Sequence, residues 1–381
     1  MVRAGLSSEW KCLFANDFDP KKGRSYVANW GSNELVVEDI NNIATRSLPE
    51  HADLVWASFP CQDLSLAGSG AGLRGSKSSA FWPFMDHISN LSQEGRPPKI
   101  ITLENVTGTL TSHKGKDFTA ICNSLKENGY IYGAIVFDAA MLVPQSRPRL
   151  FFIALKSNFF PHIPKAKASL IWHTKSLQKA YSNLPDNLKD SWIWWHMPTP
   201  PKRLQRLVDI IEDNPSCTKW HTTIETTSLL SMMSDVNLAK VEAAKASGIK
   251  IVGGVYKRTR YYQGVKFQRA EVRFDDKAGC LRTPLGGSSR QMILLIEGSN
   301  VRSRLLSARE TARLMGLPDS YILPVKYNEA CHLTGDGVVV PVVRYIAKNI
   351  IEPLLLLSRD SKRKILSTKQ NIKLKTKITV G

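Results

Sequence analysis

KIITLENV, residues 99–106, is the stretch on which the fold turns. Ile100, Ile101 and Leu103 run together ahead of Glu104 and Asn105, with no polar alternation. That is the pattern of a strand covered on both faces, not of one with a wet side. Two more runs read alike, ADLVWASF at 52–59 and KCLFAND at 11–17. Buried strands of this kind belong to a parallel sheet flanked by helices. Helical patterns lie between them, SAFWPFMDHISNLSQ (79–93) and DFTAICNSLKENGY (117–130), the second with Gly129 just past its end. YGAIVFDAAMLVPQSRPRLFFIAL (132–155) then gives two strands around a turn, as at the antiparallel edge of such a sheet. The expected fold class is α/β, a doubly wound, mostly parallel sheet.

Beyond Leu155 the texture changes: Pro, Trp and Lys become frequent and periodicity weakens. Residues 196–299 show short strand-like pieces rich in basic residues and glycine, YKRTRYYQGVKFQRAEVRF (256–274) and LRTPLGGSSRQMILLIE (281–297) among them. They are expected to form a smaller, irregular, β-rich domain. SARETARLMGLPDSY (307–321) resumes as a helix with Ser307 as N-cap and Glu310 three residues on, a capping box. VVVPVVRYIAKNIIEPLL (338–355) reads as a core helix returning to the first domain. The organisation expected is therefore a discontinuous domain, 1–195 plus 300–355, an inserted domain, 196–299, and a lysine-rich tail, 356–381, read as disordered.

A formal net charge of +19 over 381 residues favours a polyanionic partner, nucleic acid ahead of an acidic membrane surface. The six cysteines, at 12, 61, 122, 217, 280 and 331, contain no CxxC pair. This argues against a zinc module or disulfide framework, so no metal is expected and a reducing cytoplasm fits. The longest apolar run is broken by Pro341, Arg344, Lys348 and Glu352, so no bilayer span is expected.

In an open α/β sheet, reactive groups gather beyond the carboxyl ends of the strands. After 52–59 come Pro60, Cys61 and Gln62; 99–106 contains Glu104; the turn inside 132–155 carries Gln145, Arg147 and Arg149. A thiol, a carboxyl and two guanidiniums are thus directed to one rim. Neighbouring Arg side chains would favour the thiolate of Cys61.

Five segments, SFPCQDLS (58–65), ENVTG (104–108), PQSRPRLFFIAL (144–155), RLLSARETARLMGLP (304–318) and GDGVVVPVVRYIAKNI (335–350), occur in the order seen in DNA cytosine-5 methyltransferases, and the chain resembles that family from about Gly5 to Pro353. The resemblance implies transfer of a methyl group from S-adenosylmethionine to C5 of a cytosine flipped out of double-stranded DNA. By it, Cys61 is the nucleophile that attacks C6, Glu104 serves N3 if its pKa is raised, and Arg149 and Arg147 hold the base and a backbone phosphate. The cofactor is expected at Asp17 (ribose hydroxyls), Phe18, Asp39, Ile40, Pro60, Asp336 and Val338, Asp336 standing where the family usually has Asn. DNA is expected at Gln62, Ser65, Gln145, Arg282, Gly286, Gly287 and Arg290. The glycines and serines after Cys61 suit a lid over the base, and 196–299 is the target-recognition domain.

A monomer paired functionally with a restriction endonuclease is the expected setting. The alternatives are an RNA cytosine-5 methyltransferase of the same fold and a catalytically impaired DNA-binding protein. The second is raised because the family's Phe-x-Gly-x-Gly-Gly turn and its strand do not precede Gly5-Leu6. An initiation codon assigned to an internal methionine is the reading preferred over a truncated gene or a second polypeptide. The chain as written is expected to be unstable or weakly active.

Overall fold

A computed structural model describes residues 1–59, 80–160, 163, 166–284 and 290–358. Its strands, in chain order, are β1 (Ala15–Asp17), β2 (Leu35–Val37), β3 (Leu54–Ser58), β4 (Ile100–Val106), β5 (Tyr130–Asp138), β6 (Pro148–Lys156), β7 (Ile251–Tyr262), β8 (Val265–Arg273), β9 (Met292–Glu297) and β10 (Asn300–Leu305). They form three sheets, β1-β2, β3-β4-β6-β5 and β10-β9-β7-β8. The chain divides into two compact units. One holds Met1–Glu38, Asp138–Pro148 and Pro200–Val343; the other holds Asp39–Phe137, Arg149–Thr199 and Arg344–Gly381.

The unit around β4 bears out the α/β class read from the sequence, as a mixed sheet. β3 runs parallel to β4, and β6 pairs antiparallel with β4 on its other side. Residues 100–105 of β4 are all buried, as an uninterrupted apolar run demands. The helix Phe81–Gln93 buries Phe81, Phe84, Met85, Ile88 and Leu91, one face at helical spacing. The helix Lys116–Glu127 buries Phe118, Ile121, Cys122 and Leu125, and the chain leaves it through Gly129 at φ 73°. Both helices join Ile101, Leu103, Tyr132, Leu150 and Phe152 in one core. Each fully buried aliphatic or aromatic side chain there contributes about 1.5–3 kcal/mol. The final helix starts at Val340, tolerates Pro341 in its first turn, passes through a π-helical turn at Ala347–Ile351 and continues to Ser358. The tail expected to be disordered lies, from residue 359 on, outside the described residues.

In the other unit, β1, the helix Pro20–Trp30 and β2 make a βαβ turn with parallel strands. Asp19 caps that helix by accepting from Lys21 N (2.8 Å), and Pro20 opens it. The sheet β10-β9-β7-β8 is antiparallel throughout, two hairpins joined by the β7–β9 pairing, so β8 lies at the edge. Its core joins Val255, Ala270, Val272, Leu294 and Ile296 to Leu229, Met233, Val241 and Ala244. The last four come from the helices Thr223–Ser231 and Asp235–Ala246 and the turn between them, and these helices are additions to the strand pattern expected there. The capping box at Ser307 and Glu310 is present in full. Glu310 also meets Arg304 in a fully buried ion pair (2.6 Å).

No helix among the described residues is long and apolar enough to cross a membrane.

Candidate active site

Register places the first group of site residues. Ser58, the last residue of β3, pairs with Glu104 of β4, and Glu104 in turn lies opposite Phe151 of β6. Arg149 is two residues before Phe151 on β6, so it reaches Glu104 diagonally on the same face of the sheet. Its Nε lies 3.2 Å from Glu104 Oε1, and both side chains are largely buried. Asn105, which the sequence reading did not single out, locks the strand ends: its Nδ2 donates to Phe59 O (3.4 Å) and its Oδ1 accepts from Val106 N (2.8 Å). Phe59 packs on Phe81 with ring centroids 5.2 Å apart. The chain thus enters and leaves 60–79 through neighbouring rings. Pro60, Cys61, Gln62 and Ser65 lie outside the described residues.

Asp39 and Ile40 belong to the same unit. Asp39 is exposed and caps a short 3₁₀ turn by accepting from Asn41 N (2.9 Å) and Asn41 Nδ2 (2.7 Å). The N–H of Asn41, with help from its side chain, holds the Asp39 carboxyl below the usual range. Ile40 is half-buried against the core, and its carbonyl is 3.1 Å from His87 Nε2.

In the other unit, Asp17 ends β1 and accepts from Asp19 N (3.0 Å). Burial pushes its carboxyl above the usual range, an effect only partly offset by that N–H and by Lys22. Lys22, also not anticipated, bridges to Asp336 at 2.7 Å and so ties the helix after β1 to the end of the helix Tyr327–Asp336. Phe18 is 66% exposed, whereas Val338 is buried. These residues fit S-adenosylmethionine chemically. Asp17 is a carboxylate whose burial is under-compensated, so hydroxyl donors would relieve it, and Lys22 is a cation for a carboxylate group.

Two expected site residues are enclosed in this unit. Gln145, expected at the DNA, is fully buried. Its Nε2 donates to Leu314 O (2.8 Å), and its Oε1 accepts from Leu281 N (3.2 Å). Arg147 is 2% exposed, and its guanidinium is committed to the protein. Nη1 donates to Leu281 O (2.9 Å) and Nη2 to Gly335 O and Gly337 O (2.8 Å each), with Cys280 Sγ 3.4 Å from Nη1. Of the other expected DNA contacts, Arg282 is exposed and Arg290 lies over the Tyr327 ring at 5.8 Å. Gly286 and Gly287 are outside the described residues.

Comparison with known proteins gives the chain its family. Residues 2–352 match the sequence model for the C-5 cytosine-specific DNA methylases. The type II methyltransferase M.HpaII of Haemophilus parainfluenzae is 26% identical over 363 residues, covering 90% of this chain and 84% of the relative. M.HhaI of Haemophilus parahaemolyticus is 24% identical over 341 residues, covering 89% and 87%. Among solved structures, Spodoptera frugiperda DNMT2 aligns with a TM-score of 0.56 at 16% identity over 91% of this chain and 93% of that one. Entamoeba histolytica EhMeth aligns with a TM-score of 0.56 at 14% identity over 93% and 95%. At those identities the structural likeness speaks for the fold. The family match carries the rest: the chain belongs to the C-5 cytosine-specific DNA methylases, which carry a methyl group from S-adenosylmethionine to C5 of cytosine in DNA.

Proposed function

We propose that the chain methylates cytosine within a specific duplex sequence by a covalent route through Cys61. The observation that carries this is the register of β3, β4 and β6: Ser58 pairs with Glu104, and Arg149 sits 3.2 Å from Glu104, with Cys61 three residues along the chain from Ser58. The aromatic ring of cytosine leaves C5 a weak nucleophile. The thiolate of Cys61 forms a bond to C6, and the displaced electron pair is taken up as N3 receives a proton or strong hydrogen bond from Glu104. C5 is then enamine-like. S-adenosylmethionine supplies the electrophilic methyl group. Loss of the C5 proton to water returns the electrons, and the S–C6 bond breaks. Arg149 orients the Glu104 carboxyl, and its planar guanidinium suits an adjacent base carbonyl.

Arg147 and Gln145 act as positioning residues in this reading. Asp17 accepts from the ribose hydroxyls, with Phe18, Asp39, Ile40, Pro60, Asp336 and Val338 as further cofactor contacts. Residues 196–299 form the target-recognition region inserted in a catalytic domain, 1–195 plus 300–355. Since M.HpaII and M.HhaI are type II methyltransferases, the setting proposed is protection of DNA from a cognate endonuclease, by a chain acting as a monomer.

The test is adduct formation. A duplex carrying 5-fluorocytosine cannot lose a proton from C5, so the wild-type chain should remain attached to it through a denaturing gel. Cys61→Ser should form no adduct and transfer no methyl, while binding DNA within about threefold of wild type. An adduct, or substantial transfer, in Cys61→Ser would falsify the nucleophile assignment.

A further inference from the structure

The hairpin β7–β8 outgrows its sheet. β9 pairs with β7 only from Ile251 to Val255, whereas β7 and β8 stay paired from Gly254–Arg273 out to Tyr262–Val265. Ala270, opposite Lys257, still takes a bridge from Met233 on its far side, so the hairpin is a two-stranded ribbon from Arg258 outward, about 14 Å long at a strand rise of roughly 3.4 Å per residue. Its tip is a two-residue turn, Gln263 and Gly264, both with positive φ (47° and 79°), the geometry that matches strand twist. A ribbon of this kind fits the major groove of B-DNA, which is about 12 Å wide.

The ribbon's two faces differ. Lys257, Thr259 and Tyr261 lie opposite Ala270, Gln268 and Lys266 on one. The other carries Arg258 directly opposite Arg269, and Arg260 opposite Phe267. Like charges set directly across a strand pair are unfavourable when left alone. Glu271 gathers two of the three guanidiniums: Arg258 Nε lies 3.0 Å from Oε2, and an Nη of Arg260 lies 2.9 Å from Oε1. Both arginines stay about half exposed. Because Arg258 is held through Nε, its two Nη groups are left for a pair of acceptors. This arginine face continues into a cavity of about 450 Å³ lined by Tyr256, Arg258, Glu271, Arg273, Lys240 and the turn residues Ser146 and Pro148. Pro148 is the residue before Arg149.

We propose that the arginine face of this ribbon lies in the major groove of the substrate duplex, where Arg258 and Arg260, pre-oriented by Glu271, read guanines beside the target cytosine. A guanine offers O6 and N7 as paired acceptors, the partner that a fixed guanidinium fork matches bidentately. Arg269 and Lys240 supply phosphate contacts along the same face. The methylated sequence therefore contains guanine at two positions, and Glu271 is a positioning residue for both. The inference rests on the DNA-methylating function and is separable from the Cys61 chemistry.

The test is selection of bound duplexes from a randomised library by the full chain, followed by incubation of the selected duplexes with labelled S-adenosylmethionine. Wild type should enrich a motif with guanine at two positions. Arg258→Lys and Arg260→Lys should each lose discrimination at one of them, by about 5- to 150-fold. Glu271→Gln should weaken both together, and Lys257→Ala, on the other face, should leave the motif intact. Melting curves matched to wild type establish that each variant is folded. No guanine in the wild-type motif, or the motif retained in both arginine variants, overturns the assignment. If the motif is bound and lost as expected but no methyl is transferred, the catalytic reading fails and the ribbon's role stands.

Discussion

Glu104→Gln separates catalysis from stability, because the structure fixes how much of each the carboxylate supplies. Its ion-pair partner is Arg149, whose Nε lies 3.2 Å from Oε1, between side chains only 14% and 8% exposed, so solvent screens the pair little. Bonds to charged groups are worth about 1.5–3 kcal/mol, roughly twice a neutral one. Glutamine keeps an acceptor oxygen and forfeits only the difference, about 1–2 kcal/mol. At roughly 2–4 °C per kcal/mol for a chain of this size, melting should fall by about 2–8 °C. Losing the proton or hydrogen bond at N3 removes a general-acid contribution of about 10²–10⁴-fold, equivalent to roughly 3–5 kcal/mol of barrier. The assay is single-turnover transfer of labelled methyl to a duplex, read beside a melting curve and a DNA-binding titration. The rate should drop by two to four decades with binding preserved. A rate within tenfold of wild type would refute the N3 role, and a collapse in melting well beyond 8 °C would make the residue structural.

Asp17→Asn tests the cofactor-side acid. The folded Asp17 carboxyl is raised by burial, so its contribution to stability is present below the unfolded carboxylate range and is lost as pH rises through the folded value. The Asn variant should therefore melt above wild type near pH 8, with the gap closing in acid, and bind S-adenosylmethionine about tenfold more weakly, the worth of one charge-assisted bond. A lower melting point at pH 8 would contradict the burial reading. Arg147→Lys, which keeps charge but cannot span the carbonyls of Leu281, Gly335 and Gly337, should weaken cofactor affinity severalfold at saturating DNA. Titration at fixed DNA concentration checks it; a loss of DNA affinity with cofactor affinity unmoved would restore Arg147 to the expected phosphate.

What the sequence showed and hid follows from the range of the forces involved. β4 was legible because covering both faces of a strand leaves a continuous apolar run in the chain itself. The box at Ser307 and Glu310 was legible because its partners are three residues apart. The fully buried Arg304 beneath that box was not, since its burial depends on packing and on the Glu212 carbonyl (2.6 Å), far away in sequence. The helices Thr223–Ser231 and Asp235–Ala246 escaped for a different reason. The first buries only Thr226 and Leu229, the second only Val241 and Ala244, which is too thin an apolar stripe to set a period. Gln145 and Arg147 were read as rim residues from their motif; the acceptors that claim them lie 134 to 190 residues further on.

The positioning role proposed for Arg147 gives the Gln-x-Arg-x-Arg segment a task on the cofactor side. Gly335 and Gly337 flank Asp336, and Arg147 holds the carbonyls of both. Asp336 holds Lys22, and Lys22 lies on the first turn of the helix that follows Asp17. The close approach at this point needs glycine: a Cβ on Gly335 would come within 2.6–2.8 Å of the Arg282–Thr283 backbone. A guanidinium can satisfy several carbonyls at a helix C-terminus at once, where an ammonium would reach fewer of them in a fixed plane. In the proposed reading Arg147 therefore acts toward Asp336 and, through Lys22, toward Asp17, the carboxylates proposed to meet the cofactor. Arg149, two residues later on β6, acts toward Glu104. On the proposed reading the segment's two arginines serve opposite partners of one reaction, and each is expected to be damaged separately: the first through affinity for the methyl donor, the second through the rate of the chemical step.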